Sequence, residues 1–477
     1  MMTARLLVPF LFCVMLSNSN AEDKPNITEL QLSATPDSKP ALRYTLLVER
    51  KDLKPGNAAF FYAKACLVRP SAQDRPNTKS DQAKLQLWEQ SALTALPVND
   101  VRDYLKKFDR VFAEIEAGTL CKHCDWDRTP TKGFDAVSAV LPEIQLHREH
   151  MRWLSLRIRA DLAEKKFDDA ARNLRTAFQY VKHFTERPSL VETLTGLALT
   201  YIVLGRIEEF ISQPDAPSLY WALSMVPSSY TDLRAAFDGE EKLVEELFPG
   251  IAELQTKVVS NERAKELLEQ VFGVFQSMSN SNSNDITGLG QRFALASYVQ
   301  IEQAKARKEL ATRGWSAKDV EAMPAAQAVF LGALQSYTEI SQDYRKWFAR
   351  PHAESFDALV SLRERVKRLE KEKKDDPLSS VLLLLLPALD KTHQAVVRTD
   401  RKIALLRTIE AMRIHADHNG RWPKELVDIR LVPVPLDPLT NKSFQYELTE
   451  GIATITMPAR KDGTGPTTDN VYKLKLR

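Results

Sequence analysis

Apolar residues recur at three- and four-residue spacing through most of this chain, which predicts a mainly α protein. Asn57 precedes "AAFFYAKACLV" as a candidate N-cap, and Tyr62 and Cys66 lie four apart on one face of the helix that follows. Before it, "ALRYTLLVERKDL" reads as a short strand or extended segment and "KPGN" as a turn. From Val98 to Ala117, the positions Val101, Leu105, Phe108, Phe112 and Ile115 share an apolar face and predict one helix. The strongest pattern covers residues 140 to 213. There "MRWLSLRIRADLAEKKFDDAARNLRTAFQYVKHF" predicts two antiparallel helices joined near Lys165 and Lys166, with Phe167, Ala170, Leu174 and Ala177 on the packing face. "LVETLTGLALTYIVLGRIEEFISQ" predicts a second such pair with its joint at Gly205.

Further helices are expected around 291 to 312, 323 to 348, 352 to 374 and 390 to 418. The stretch "RERVKRLEKEKKDD" reads as a solvated helix end, and "VLLLLLP" at 381 to 387 as a buried segment or strand. Past His418 the period changes. Gly420 breaks the helix, proline turns follow, and "SFQYEL" and "IATITM" alternate as an antiparallel pair to which "VYKLKL", 471 to 476, adds a third strand.

The expected organisation is a signal peptide over 1–21, a loose leader over 22–40 containing Pro25, Pro36 and Pro40, and a helical domain over 41–276. A Ser/Asn linker at 277–290, a helical region at 291–389 and a small α+β module at 390–477 complete it. The signal assignment rests on Arg5, the apolar run Leu6 to Leu16 and the small residues ending at Ala21; bulky Phe12 argues against Cys13 as a lipidated position. It implies an exported protein, periplasmic or extracellular, with no transmembrane helix in the mature chain. Lys plus Arg number 66 against 63 for Asp plus Glu, so net charge gives no case for nucleic acid as a partner.

Candidate chemistry centres on "CKHCDW" at 121 to 126. Export permits disulfides, and Cys66, Cys121 and Cys124 are the thiols left after the signal, so a disulfide within the loop or from Cys66 to one of the pair is expected. Zinc is the alternative, with His123 or with His147 and His150 from "HREH", which share a helix face; thiol redox chemistry is another. His415 and His418 straddle a helix end and suit capping more than ligation. The chain has no G-x-S-x-G elbow, phosphate loop or HExxH, so no catalytic residue and no cofactor is named. Tyr220 and Trp221, flanked by prolines, are candidates for contact with a protein partner or for packing a short helix against the array.

Three resemblances attach to these residues. The hairpins at about 140–213 resemble tetratricopeptide repeats (TPR-like), implying an irregular helical array with a concave binding surface. Asn419, Gly420, Trp422, Pro423, Leu426, Pro435, Asp437, Pro438, Tyr446 and the strands after them resemble the periplasmic part of type II secretion major pseudopilins. Here that order lies far from the amino terminus, behind a helix bearing Arg398, Asp400, Arg401 and Lys402, so it implies a fold and not pilus assembly. Across nearly its whole length the chain is similar to a family of uncharacterised secreted proteins of planctomycete bacteria, through "LKPGNAAFFYAKA", "CDWD", "FDDAARNLRTAF", "PSLYWALSMVP" and the "DRKIALLRTIEAMRIHA" to "VPLDPLTNKSFQYEL" ending. That similarity implies an envelope setting and supplies no activity. The expected function is non-catalytic binding or assembly with a protein partner in the cell envelope; the alternatives are an exported hydrolase with its site between body and C-terminal module, or a redox or zinc protein centred on the cysteine pair.

Overall fold

A computed structural model describes residues 25–70, 79–126, 140–187, 189–227, 230–247, 250–279, 288–372, 386–459 and 469–477. The expected signal peptide, residues 280–287 of the Ser/Asn linker and most of "VLLLLLP" lie outside these.

The first described element is strand β1 (Asn26–Leu32), where a loose leader is expected. Pro25 and Pro36 fall outside the strand, so nothing interrupts its ladder, and Thr28, Leu30 and Leu32 turn inward by alternation. Residues 41–53 hold turns and no strand, whereas "KPGN" forms strand β2 (Lys54–Asn57) instead of a turn. Asn57 then caps α1 (Ala58–Leu67), its side chain accepting from the Ala59 amide.

Helices α2 (Lys79–Gln90), α3 (Val98–Lys106) and α4 (Asp109–Thr119) follow, and then β3 (Cys121–His123), which pairs parallel with β2. The single helix expected over 98–117 is thus two. The break at Lys107–Phe108 lets Phe108 stack on Trp153 with centroids 3.9 Å apart, and all five residues of the expected apolar face are buried.

Next come α5 (Val140–Ala163) and α6 (Phe167–Thr185), an antiparallel pair joined through Lys165 in the left-handed region. Ala170, Leu174 and Ala177 are fully buried on α6 and allow close packing. The second hairpin does not exist. Residues 190–211 are one helix, α7 (Leu190–Ile211), running straight through Gly205, whose missing side chain faces open space. A helical glycine costs about 1 kcal/mol, little against the burial of Val203, Leu204, Ile207 and Phe210 on the same helix. By length and composition α7 is able to cross a membrane, and 61% of its apolar window is buried within the protein.

The remaining helices are α8 (Tyr220–Ser224), α9 (Arg234–Leu247), α10 (Ile251–Thr256), α11 (Asn261–Ser279), α12 (Gly288–Thr312), α13 (Ala317–Ala322), α14 (Ala325–Phe348), α15 (His352–Glu372) and α16 (Leu386–Asn419). Gly420, at φ +69°, stops α16 by a turn that other residues rarely adopt. Strands β4 (Gln445–Thr449), β5 (Ile452–Met457) and β6 (Asn470–Leu476) follow, antiparallel to one another as their alternation predicts. β1 adds to β6 in parallel, giving a mixed sheet ordered β1-β6-β5-β4.

Two hydrophobic cores result. One gathers α1 to α8, the sheet and the second half of α16; the other gathers α9 to α15. α7 and α16 contribute to both, and α16, about 50 Å long by helical rise, ties them together. The protein is therefore mainly α with a small C-terminal mixed-sheet module whose long helix is part of the body.

Candidate functional site

The residues singled out by sequence chemistry converge. Tyr62 on α1, Trp126 after β3, His147 and His150 on α5, and Tyr180, His183 and Arg187 on or just after α6 form one aromatic and polar cluster beside the three thiols. Helix spacing makes this so. His147 and His150 are one turn apart on α5, while Tyr180 and His183 are one turn apart on the facing side of α6.

Tyr180 receives both α5 imidazoles. Its hydroxyl bonds His150 Nδ1 at 3.1 Å and also His147 Nδ1. A hydroxyl donates one proton, so one imidazole accepts from it while the other donates to it. Tyr62 and His183 Nδ1 are hydrogen-bonded at 2.8 Å. The Val48 amide donates to Gln179 Oε1, which leaves the Gln179 amino group to donate to His183 Nε2 at 2.9 Å. His183 is therefore protonated on Nδ1 and donates to the Tyr62 oxygen. Gly118 on α4 gives the Tyr62 ring its room, since a Cβ there would lie 2.5 Å from Cε1.

Arg187 closes one side. Its guanidinium lies 3.6 Å from the Trp126 ring centroid and pairs with Glu192 at 2.7 Å and Glu143 at 3.0 Å; Arg187 and Glu192 are both buried. Such a pair is stable only with its hydrogen bonds complete, so its effect is to fix geometry. Beyond it Glu240 accepts from the Leu190 amide at the start of α7; burial pushes its carboxyl up to about 7.

Burial also decides the protonation of the rest. It lowers His150 to about 3 and His183 to about 4, so both imidazoles are neutral at neutral pH. It pushes the Cys66 thiol up to about 11 and Cys124 up to about 12, and raises Cys121 as well. A reactive cysteine needs the opposite shift.

The expected disulfide is not formed: Cys66, Cys121 and Cys124 are all free. The three thiols stand on different stretches of backbone. Cys121 sits in β3, its Sγ 3.6 Å from the Ala117 carbonyl and facing Gly56. Cys124 lies past the strand end beside Arg187 and Tyr62, and Cys66 stands on α1 beside Arg69 and Glu143. Among the described residues no three His, Cys, Asp or Glu side chains group as metal ligands. His123 is exposed on β3, opposite Asn57, and takes no part in the cluster. His415 and His418 stand in the last turn of α16, where His418 is exposed.

Tyr220 is buried and its hydroxyl donates to the Pro433 carbonyl at 2.6 Å, so it packs α8 against the C-terminal segment. Trp221, half-buried, donates from its indole nitrogen to Asp37 at 2.8 Å. The boundary between body and module is closed by buried charge. Arg401 holds Asp437 through two bonds of 2.9 and 2.7 Å, Lys402 meets Glu208 and Tyr472, and Glu410 pairs with Arg413 while accepting from Ser218 and the Leu219 amide. In the other core His352 bridges Asp400, at 2.9 Å, and His393, at 3.3 Å, fixing the start of α15 to α16.

An open cavity lies elsewhere, and sequence reading misses it. A groove of about 510 Å³ runs between α3, α4, α5 and α6, lined by Arg102, Arg157, Lys166, Arg172 and Arg175 and by the acids Glu116, Asp161 and Asp169. Arg102 pairs with Asp161 and Glu164, Arg157 with Glu116 beneath the Phe112 ring, and Arg172 with Asp169. Half-buried Arg175 has no such partner among the described residues. In sequence these charges read as ordinary solvated helix faces; the signal was their recurrence on both helices of one hairpin.

The lining holds neither histidine nor cysteine, and its hydroxyls are those of Thr119 and Thr176. Its chemistry is recognition: planar guanidinium forks beside carboxylates. Set against family models, curated proteins and solved structures, the chain matches none of them.

Proposed function

We propose that the protein is a non-catalytic binding or assembly protein that engages a partner through the arginine-lined groove of its helical body. The observation that carries this is the separation of chemistry from access. His150, His183 and the tyrosines beside them are buried, and burial holds these two imidazoles uncharged and raises the thiols, while the accessible concavity presents guanidinium groups from three helices.

Two architectural analogies accompany it. The α5–α6 pair, with its small packing residues, is TPR-like, and the order of long helix, Gly420, Asp437-Pro438 turn and sheet is pseudopilin-like. Export to the cell envelope belongs to the same proposal and rests on the apolar run from Leu6 to Leu16 ahead of Ala21.

A photo-reactive side chain placed at Thr176, inside the groove, tests the reading, with exposed Ser361 as the control position. Irradiation in the native envelope fraction is expected to give a discrete adduct from position 176 and none from 361. Adducts that do not depend on position would overturn it.

A further inference from the structure

Resting on that reading, we propose that the groove takes an acidic peptide segment carrying at least two carboxylates. Five basic side chains line it against three acidic ones, and Glu164 at its edge pairs with both Arg102 and Lys166, so one positive charge, that of Arg175, is left over. The basic groups are spread out. From Lys166 to Arg175, along α6, the helical rise gives about 13 Å, with Arg102 and Arg157 on the opposite wall. One small oxyanion reaches a single guanidinium and leaves the rest of a 510 Å³ cavity unfilled, whereas an extended segment with spaced carboxylates meets both ends.

Arg175 is the principal contact. It is half-buried, so part of its hydration is already gone, and it has no ion-pair partner among the described residues to give up. Arg172, whose pair with Asp169 is exposed on both sides, exchanges that partner at little cost. Glu116 and Asp169, both partly exposed, remain to accept from peptide amides and to turn away a ligand of undivided negative charge, while buried Asp161 is held by Arg102 and Asn173.

The test is fluorescence anisotropy of the full chain with a labelled Glu-Glu-Ala-Glu-Glu-Ala peptide, against the same peptide with Gln for Glu. Binding is expected for the acidic peptide alone and to weaken with added salt. Arg175→Gln and Arg172→Gln are each expected to weaken it roughly 5- to 10-fold, the loss of a charge-assisted contact. Arg350→Gln, at an exposed helix end, is expected to leave it unchanged. Thr176→Trp fills the groove without removing charge and is expected to abolish binding. Each variant's far-ultraviolet circular dichroism confirms its fold.

Equal binding of the two peptides, or wild-type affinity in Arg175→Gln and Thr176→Trp, overturns the proposal. So does complete displacement by inorganic phosphate at concentrations where free glutamate does nothing, which would make the groove a small-oxyanion site. If the peptide fails while the position-176 adduct forms, the binding reading stands and the ligand class falls.

Discussion

The Tyr180 hydroxyl serves two buried imidazoles, so its removal takes a hydrogen bond from each. Tyr180→Phe keeps the ring and its edge contact with Tyr62, and is expected to destabilise the protein by about 2–4 kcal/mol, the cost of stranded buried polar groups. Chemical unfolding followed by tryptophan fluorescence measures it; a loss below about 1 kcal/mol would mean that the imidazoles find other partners. Sequence reading singles out Cys121, Cys124, His147 and His150 as candidates for a disulfide or a metal set. It misjudges their use, because spacing shows which residues share a face but not what lies opposite. Tyr180 and Arg187, which occupy that space, look in the sequence like helix-surface residues.

At the scale of elements, Arg401 on α16 and the Asp437 turn form a buried fork, 2% and 4% exposed, that also fixes the turn through the Leu439 amide. Asp437→Leu strands the guanidinium and is expected to cost about 3–5 kcal/mol. Combining it with Arg401→Met is expected to recover part of that loss, and a double-mutant cycle reads the coupling. An additive cycle would show that the fork does not join helix and turn. Helix periodicity locates α14, α15 and α16 within a few residues, and strand alternation locates β4, β5 and β6, since each buries one face and the burial pattern is local. The failures have non-local causes. β1 exists because β6 offers an edge, α7 passes Gly205 because its neighbours bury its apolar faces, and the 98–117 helix breaks where Phe108 meets Trp153. The groove is invisible for the same reason: its charges come from four helices and meet only after folding.

Over the whole molecule, burial holds His150 and His183 in one core and His393 in the other near 3, 4 and 3. Their folded values lie below the ordinary 6.5, so the stability they allow is complete above that pH and lost as pH falls towards the folded values. Glu240 opposes them. Its folded value, about 7, exceeds its ordinary 4.5, so it favours the folded state as pH falls through the same window. With three imidazoles against one carboxyl, stability is expected to fall by roughly 2 kcal/mol per pH unit between about pH 6.5 and 5.5. Below that the raised carboxyls of Asp161, Glu209 and Asp400 add to the opposition. Thermal unfolding at the two pH values reads the slope, and an unchanged or higher midpoint at the lower pH would mean that the histidines are not buried neutral. The sheet has a consequence in time as well as in space. β1 meets its mate 444 positions later, and that mate lies between β1 and β5 in the strand order. A polypeptide emerging amino end first carries β1 unmatched until β6 has left the ribosome. A chain that stops short of β6 loses two pairings at once and bares two further edges, on β1 and β5, the kind of surface on which chaperones and proteases act. The parallel clasp thereby makes synthesis through β6 a condition of the closed sheet, a form of proofreading that needs no separate sensor.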